Sequence, residues 1–313
     1  MNRAFLFLLI KVCLTGIIIY LLVNKIDYSQ VLITLKQVSY SLLSFSVLLN
    51  IAGILATAKR WQTIISSLSK TIPWWDTCYH TVIGAFLSQC LPSSVGGDVY
   101  KGITLKQRYK IPTILSISAT LIDRIYGILS FVVFSVLGCL VEWKSLIKSS
   151  VGELIIALIM LISAGFIALS LLKLAKKKLP LFMMPLVQFS ESISLTFSHK
   201  MNMLTIALTS FIASFCLIMA AYLLSIASGL EITFSQILVA IPVVIIISAI
   251  PISFAGWGLR EGAMVVILSI YGIPKEQALA FSLLFGVMQF LAAFPGLILW
   301  CFAKPPQLSL DIK

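Results

Sequence analysis

Runs of about twenty apolar residues recur along this chain, and no other feature of it narrows the possible folds as sharply. The hydrocarbon core of a bilayer is about 30 Å thick and takes about 20 apolar residues of helix to cross, with every backbone group satisfied inside the segment. Candidate spans lie at about 4–23, 41–58, 113–140, 151–172, 203–226 and 278–302. With 60% hydrophobic and 11% charged residues, the chain is far from the roughly 25% charge of a soluble domain. A water-soluble domain is excluded. The fold expected is an all-α polytopic membrane protein, one domain over 1–313, with about six transmembrane helices. Two further apolar runs, 79–91 and 237–252, are short, and the second is interrupted by Pro242 and Pro251. Both are expected as re-entrant broken helices, which gives eight spans if each is counted.

The formal charge is +12, from 23 Lys and Arg against 11 Asp and Glu. In a membrane protein such an excess marks cytoplasmic loops first, so nucleic acid is not expected as a partner. With the N-terminus inside, 15 of the 23 cations fall in cytoplasmic segments and 6 outside, Lys11 and Arg124 lying within helices. Both termini are therefore placed in the cytoplasm of a protein integral to the plasma (inner) membrane, the first run serving as an uncleaved signal anchor. Trp61, Trp74, Trp75, Trp143 and Trp300 are expected as interfacial anchors. Arg60, beside Trp61, is placed at the cytoplasmic end of the second span, where it either snorkels or touches a ligand. The six cysteines show no CxxC and no zinc spacing; no metal or cofactor is expected.

An internal repeat narrows the search for a site. Pro92-Ser-Ser-Val-Gly-Gly-Asp-Val-Tyr-Lys101 and Pro251-Ile-Ser-Phe-Ala-Gly-Trp-Gly-Leu-Arg260 both fit PxSxxGxxx(K/R), 159 residues apart. Tyr109-Lys-Ile-Pro112 recurs as Tyr271-Gly-Ile-Pro274. The repeat halves run over about 41–140 and 203–302. Three expected spans separate the two loops, so they enter from opposite faces, the Lys101 loop from the cytoplasm and the Arg260 loop from outside, as an inverted internal repeat. In transporters such paired interrupted segments line the substrate site. A glycine-rich loop opening a helix offers N–H groups and a positive dipole end to an anion. Ser94, Gly96, Gly97, Asp98 and Lys101 in one loop, and Ser253, Gly256, Arg260 and Glu261 in the other, are the candidate substrate-binding residues. The glycines serve equally well as small residues at a close helix crossing.

Asp123 and Arg124 lie ten and eleven residues into a span, about 15 Å deep at 1.5 Å per residue. A charge at that depth costs on the order of 2.5–3.5 kcal/mol. Adjacent helical residues do not face one another, so each needs a partner from elsewhere: Lys101 or Arg260 for Asp123, and Asp98, Glu261 or an anionic ligand for Arg124. Gln289 is a weaker polar candidate in the corresponding helix of the second half.

Arg60-Trp61, Leu91-Pro92 through Gly96-Gly97-Asp98, Asp123-Arg124 with Gly127, and Pro251-Ile-Ser through Gly256-Trp-Gly-Leu-Arg260-Glu261-Gly262 together resemble the lysylphosphatidylglycerol synthase transmembrane family, also called the flippase-like domain family. In full-length bacterial members, the multiple peptide resistance factors, such a membrane domain translocates aminoacylated phosphatidylglycerol made by a separate soluble domain. No stretch of these 313 residues is polar enough for that synthase domain, so the resemblance implies the translocase half.

The function expected is therefore an integral membrane lipid translocase. Its cargo would be an anionic or aminoacylated phospholipid, or a polyprenyl-phosphate-linked lipid. Two alternatives stand beside it. One is a noncatalytic partner of a lipid-modifying or glycosyltransfer enzyme. The other is a membrane transferase using Asp98, Asp123 or Glu261 as base, although the chain has no nucleotide loop, metal cluster or nucleophile elbow.

Overall fold

The computed structural model describes residues 38–91, 95–171, 184–196, 198–250 and 258–302. The first expected span, 4–23, and the candidates Ser94, Ser253 and Gly256 lie outside the described residues. Those described form helices and connections, with no strand among them. In chain order the helices are α1 (Tyr40–Leu68), α2 (Trp74–Cys90), α3 (Gly96–Gln107), α4 (Thr113–Val141), α5 (Trp143–Ile147), α6 (Ser150–Leu171), α7 (Met184–Thr196), α8 (Lys200–Ala227), α9 (Phe234–Ser248), α10 (Leu259–Ser269), α11 (Lys275–Ala293) and α12 (Pro295–Phe302).

Among the described residues four segments are long and apolar enough to cross a bilayer: α1, α4, α8, and α11 continued by α12. They fall on the expected runs 41–58, 113–140, 203–226 and 278–302, and α6 falls on 151–172. Their outward faces carry large exposed apolar side chains, among them Phe45, Leu48, Leu140, Leu161, Leu208 and Phe215. In water such faces would be a liability; against acyl chains they need no cover.

The two short runs become α2, of 17 residues, and α9, of 15. At 1.5 Å per residue they span about 25 and 22 Å, less than the hydrocarbon core. Pro242 does not interrupt α9, which runs through it to Ser248 after a Thr233/Gln236 capping box. α2 ends at Cys90, and α3, from Gly96, folds back along it: Tyr100 Oη lies 2.8 Å from His80 Nδ1, and Gly97 abuts Gly84. The hairpin's mouth is held by Tyr109, which donates to Asp76 Oδ2 at 2.9 Å. A second such unit is formed by α9 and α10, which pack on each other.

The hairpins wedge between long helices. α1 and α8 pack along their lengths, Gly53 meeting the Ala213 carbonyl. α4 lies on α9 with Gly138 against Val239, and α12 lies on α2 with Gly296 against the Val82 carbonyl. The larger apolar core joins α8 to α11 through residues such as Leu224, Ile241, Val244, Met264, Leu268 and Phe285. A second gathers Ile64, Ile65, Leu105 and Ile122 around Trp61.

The placement of Arg60 and Trp61 also differs from the sequence expectation. The second span does not end near residue 58 with Arg60 and Trp61 at the interface. Instead α1 continues to Leu68, Trp61 is fully buried and Arg60 is 5% exposed. Hydropathy fails here because the polar groups have partners inside the protein: Arg60 pairs with Asp123, and Gln62 Nε2 donates to the Ile72 carbonyl at 2.7 Å. Trp75, Trp143 and Trp300 keep the exposure expected of anchors, and Trp74 is half-buried.

Candidate functional site

The hairpin tips, α1, α4 and α11 meet around a cavity of 380 Å³. Arg60, Gly97, Asp98, Lys101, Asp123, Arg124, Arg260 and Gln289 line it, eight of the candidates named from sequence. Gly96 stands next to it in the first turn of α3, and Glu261 lies behind Arg260, 4% exposed.

Consecutive residues on α4 project about 100° apart, so Asp123 and Arg124 take different partners. Asp123 accepts from two buried cations, Arg60 Nε through Oδ1 and Lys101 Nζ through Oδ2, each at 2.7 Å. Lys101 Nζ also sits 4.7 Å above the Trp61 ring, a cation–π contact that gives the ammonium a face in the interior. Arg60 Nη1 reaches Ser210 Oγ at 3.5 Å. Arg124, less buried, donates through Nη1 to Asp98 Oδ2 and through Nη2 to the Ala249 carbonyl, both at 2.7 Å. Asp98 belongs to α3 and Ala249 caps the C-terminus of α9. Arg124 thus ties the tip of one hairpin to the tip of the other. Of the partners expected, Lys101 and Asp98 are found; Arg260 does not meet Asp123, nor is Glu261 held by Arg124.

Arg260 pairs instead with its own neighbour. Its Nε and Nη2 donate to Glu261 Oε1 at 3.0 and 2.8 Å, and Nη1 reaches Gln289 Oε1 at 3.3 Å. The other Glu261 oxygen accepts from Gly258 N at 2.5 Å and so caps α10. Gly258 has φ +86°, where a side chain would be strained. The Arg260 guanidinium occupies a slot opened by Gly286, where any Cβ would collide with Nη2. Arg60 lies more loosely against Gly127.

Gly97 touches the Gly84 carbonyl and Ser88 Oγ closely enough to forbid a Cβ, and Gly96 abuts Leu91. Both glycines therefore let α3 cross α2, the role weighed beside anion binding.

The match to known families follows this geometry. The family described as "Lysylphosphatidylglycerol synthase TM region" matches residues 8–296. This chain belongs to that family. Every residue lining the cavity, from Ile54 to Gln289, falls within the matched span. The UPF0104 membrane protein MJ1078 of Methanocaldococcus jannaschii is similar, 25% identical over 220 residues, which is 66% of this chain and 89% of that protein.

In this family member several lining residues escape a search for charge. Thr81, Gly84, Ala85 and Ser88 form a small or polar stripe on α2 at helical spacing, a pattern the sequence does show once α2 is taken as a helix facing protein. Thr57, Gln89 and Ser248 add further polar groups. Nothing in the sequence singles out Gly286, whose importance appears once Arg260 is seen lying on it.

Proposed function

We propose that this protein moves a phosphate-bearing lipid between leaflets, holding its headgroup in the cavity while the chains stay in the bilayer. The supporting observation is that four cations and two carboxylates face a 380 Å³ cavity lined from α2, α3, α9 and α10. That volume suits a headgroup and is at the low end for ligand pockets. Lining from Ile54, Ile128, Phe131 and Ile245 beside the charges suits an amphiphile. A transferase is less well supported, because Asp98, Asp123 and Glu261 each have oxygens engaged by a cation within 2.8 Å.

The same reading treats the halves 41–140 and 203–302, α1–α4 and α8–α12, as inverted repeats. Under a two-fold relation the Gly138–Val239 and Gly296–Val82 contacts are equivalent, and Lys101 and Arg260, 159 positions apart, face the same cavity. With buried Arg60, Lys101 and Arg260 no longer counted as loop charges, the inside bias is 13 to 5. Cysteines introduced for Lys106 and Lys275 should therefore react with an impermeant maleimide from opposite faces, Lys106→Cys from the cytoplasm. Labelling of both from one face would overturn the inverted arrangement.

Transport is tested in proteoliposomes carrying fluorescent phospholipids. The wild type should move lipid faster than protein-free vesicles. Arg260→Gln, which removes a charged donor worth about 1.5–3 kcal/mol, should slow movement about tenfold or more. Arg124→Leu should abolish it, since the tie between the hairpin tips is lost, while the protein still purifies as a monodisperse species. Movement at the protein-free rate by the wild type would refute the translocase and leave the noncatalytic partner.

A further inference from the structure

We infer that the cargo headgroup carries a single net negative charge, as a phosphodiester esterified to an uncharged, hydroxylated group, and that its phosphate docks beside the Arg60–Asp123–Lys101 cluster. The inference rests on the translocase reading and specifies its substrate class. Its basis is how the buried charges cancel. Arg124 and Asp98 form one neutral pair, and Arg260 and Glu261 another. Asp123 alone faces two cations, Arg60 and Lys101, both about nineteen-twentieths buried. Among the described residues at the cavity the sum is one positive charge, localised at that cluster.

A net charge in a low-dielectric interior is costly, and a ligand that neutralises it is favoured over one that adds to it. A phosphodiester with a neutral ester group, such as phosphatidylglycerol, brings the site to zero. Phosphatidylethanolamine, net neutral, leaves one positive charge. A lysyl ester of phosphatidylglycerol carries a net positive charge and leaves two. A phosphomonoester, mostly dianionic at neutral pH, overshoots to one negative. No lining carboxylate stands without a cation to receive an ammonium group, since Asp98 and Asp123 are both engaged.

A second observation concerns the same wall of the cavity. Thr81 Oγ1 lines the cavity on α2, is 4% exposed as a residue and has no hydrogen-bond partner among the described residues. Buried hydroxyls seldom lack one. Thr81 lies one turn from Gly84, whose Cβ position is 3.4 Å from Lys101 Cδ. A phosphate oxygen beside Lys101 would supply its partner. Ser88 and Gln89 further along α2, and Gln289 of α11, offer uncharged groups to a glycerol or sugar.

The test is a lipid panel in proteoliposomes: labelled phosphatidylglycerol, phosphatidylethanolamine, lysyl-phosphatidylglycerol and phosphatidic acid. The wild type should move phosphatidylglycerol about tenfold faster than the other three. Lys101→Gln brings the site to zero and should shift preference toward phosphatidylethanolamine; Asp98→Asn adds a positive charge and should shift it toward phosphatidic acid. Equal rates across the panel, or fastest movement of lysyl-phosphatidylglycerol by the wild type, would overturn the charge rule while leaving a translocase. If no lipid moves, the translocase reading fails on its own, and retention of the same four lipids by detergent-purified wild type, measured by native mass spectrometry, decides the charge rule. Preferential retention of phosphatidylglycerol upholds it, and equal retention overturns it.

Discussion

Asp123→Ala should destabilise this protein by about 3–5 kcal/mol, the cost of leaving buried charges without their counter-ion. Asp123 is shared by two cations, its oxygens 2.7 Å from Arg60 Nε and from Lys101 Nζ. All three side chains are at most 7% exposed, so water is a poor replacement for the lost partner. Arg60 cannot shed its proton to escape. Its remaining contact, Ser210 Oγ at 3.5 Å, is a weak neutral acceptor. The corresponding loss at Asp98 should be smaller, because that pair is about a quarter exposed. Thermal unfolding of the detergent-purified variants measures both. Replacing the whole cluster, with Arg60→Met and Lys101→Met added to Asp123→Ala, should recover most of the stability, since an apolar substitute for a buried ion cluster is often neutral. A loss below about 1 kcal/mol for Asp123→Ala would mean that water entering the cavity solvates the two cations once the carboxylate is gone.

That cluster also shows how far the sequence carries. Asp123 and Arg124, adjacent and about 15 Å deep, announce separate partners, and Lys101 and Asp98 follow as candidates because the repeat places them at a helix break. The long spans are equally legible, since apolar runs leave the backbone no alternative in lipid. Arg60 is harder. Hydropathy treats a guanidinium as the end of a span, and it cannot know that a carboxylate 63 positions later lies 2.7 Å away. The pairing of Arg260 with Glu261 is hidden for a different reason: neighbours on a regular helix diverge, but these two sit in the first turn of α10, where Glu261 bends back to cap Gly258. Thr81 and Gly286 bear no charge, and both acquire meaning from what packs against them.

Gly97→Ala should be the most damaging conservative change in the hairpin, costing about 1–3 kcal/mol or more through overpacking and lowering the proposed lipid transport with it. A Cβ there would run into the Gly84 carbonyl and Ser88 Oγ. Because the first obstacle is backbone, relief requires α3 to move away from α2, whereas a clash with the end of a flexible side chain could be relieved by rotation. Such a shift carries Asp98 and Lys101, one and four residues on, away from Arg124 and Asp123. Gly262→Ala supplies the contrast. Among the described residues nothing lies within 4 Å of its Cβ position, and it sits inside α10, where alanine is the better helix former by about 1 kcal/mol. That variant should match or exceed wild-type stability. Unfolding temperatures of the two alanine variants, read beside their lipid movement, separate the possibilities. If Gly97→Ala is as stable and as active as Gly262→Ala, the close crossing of α2 and α3 is not what positions Lys101.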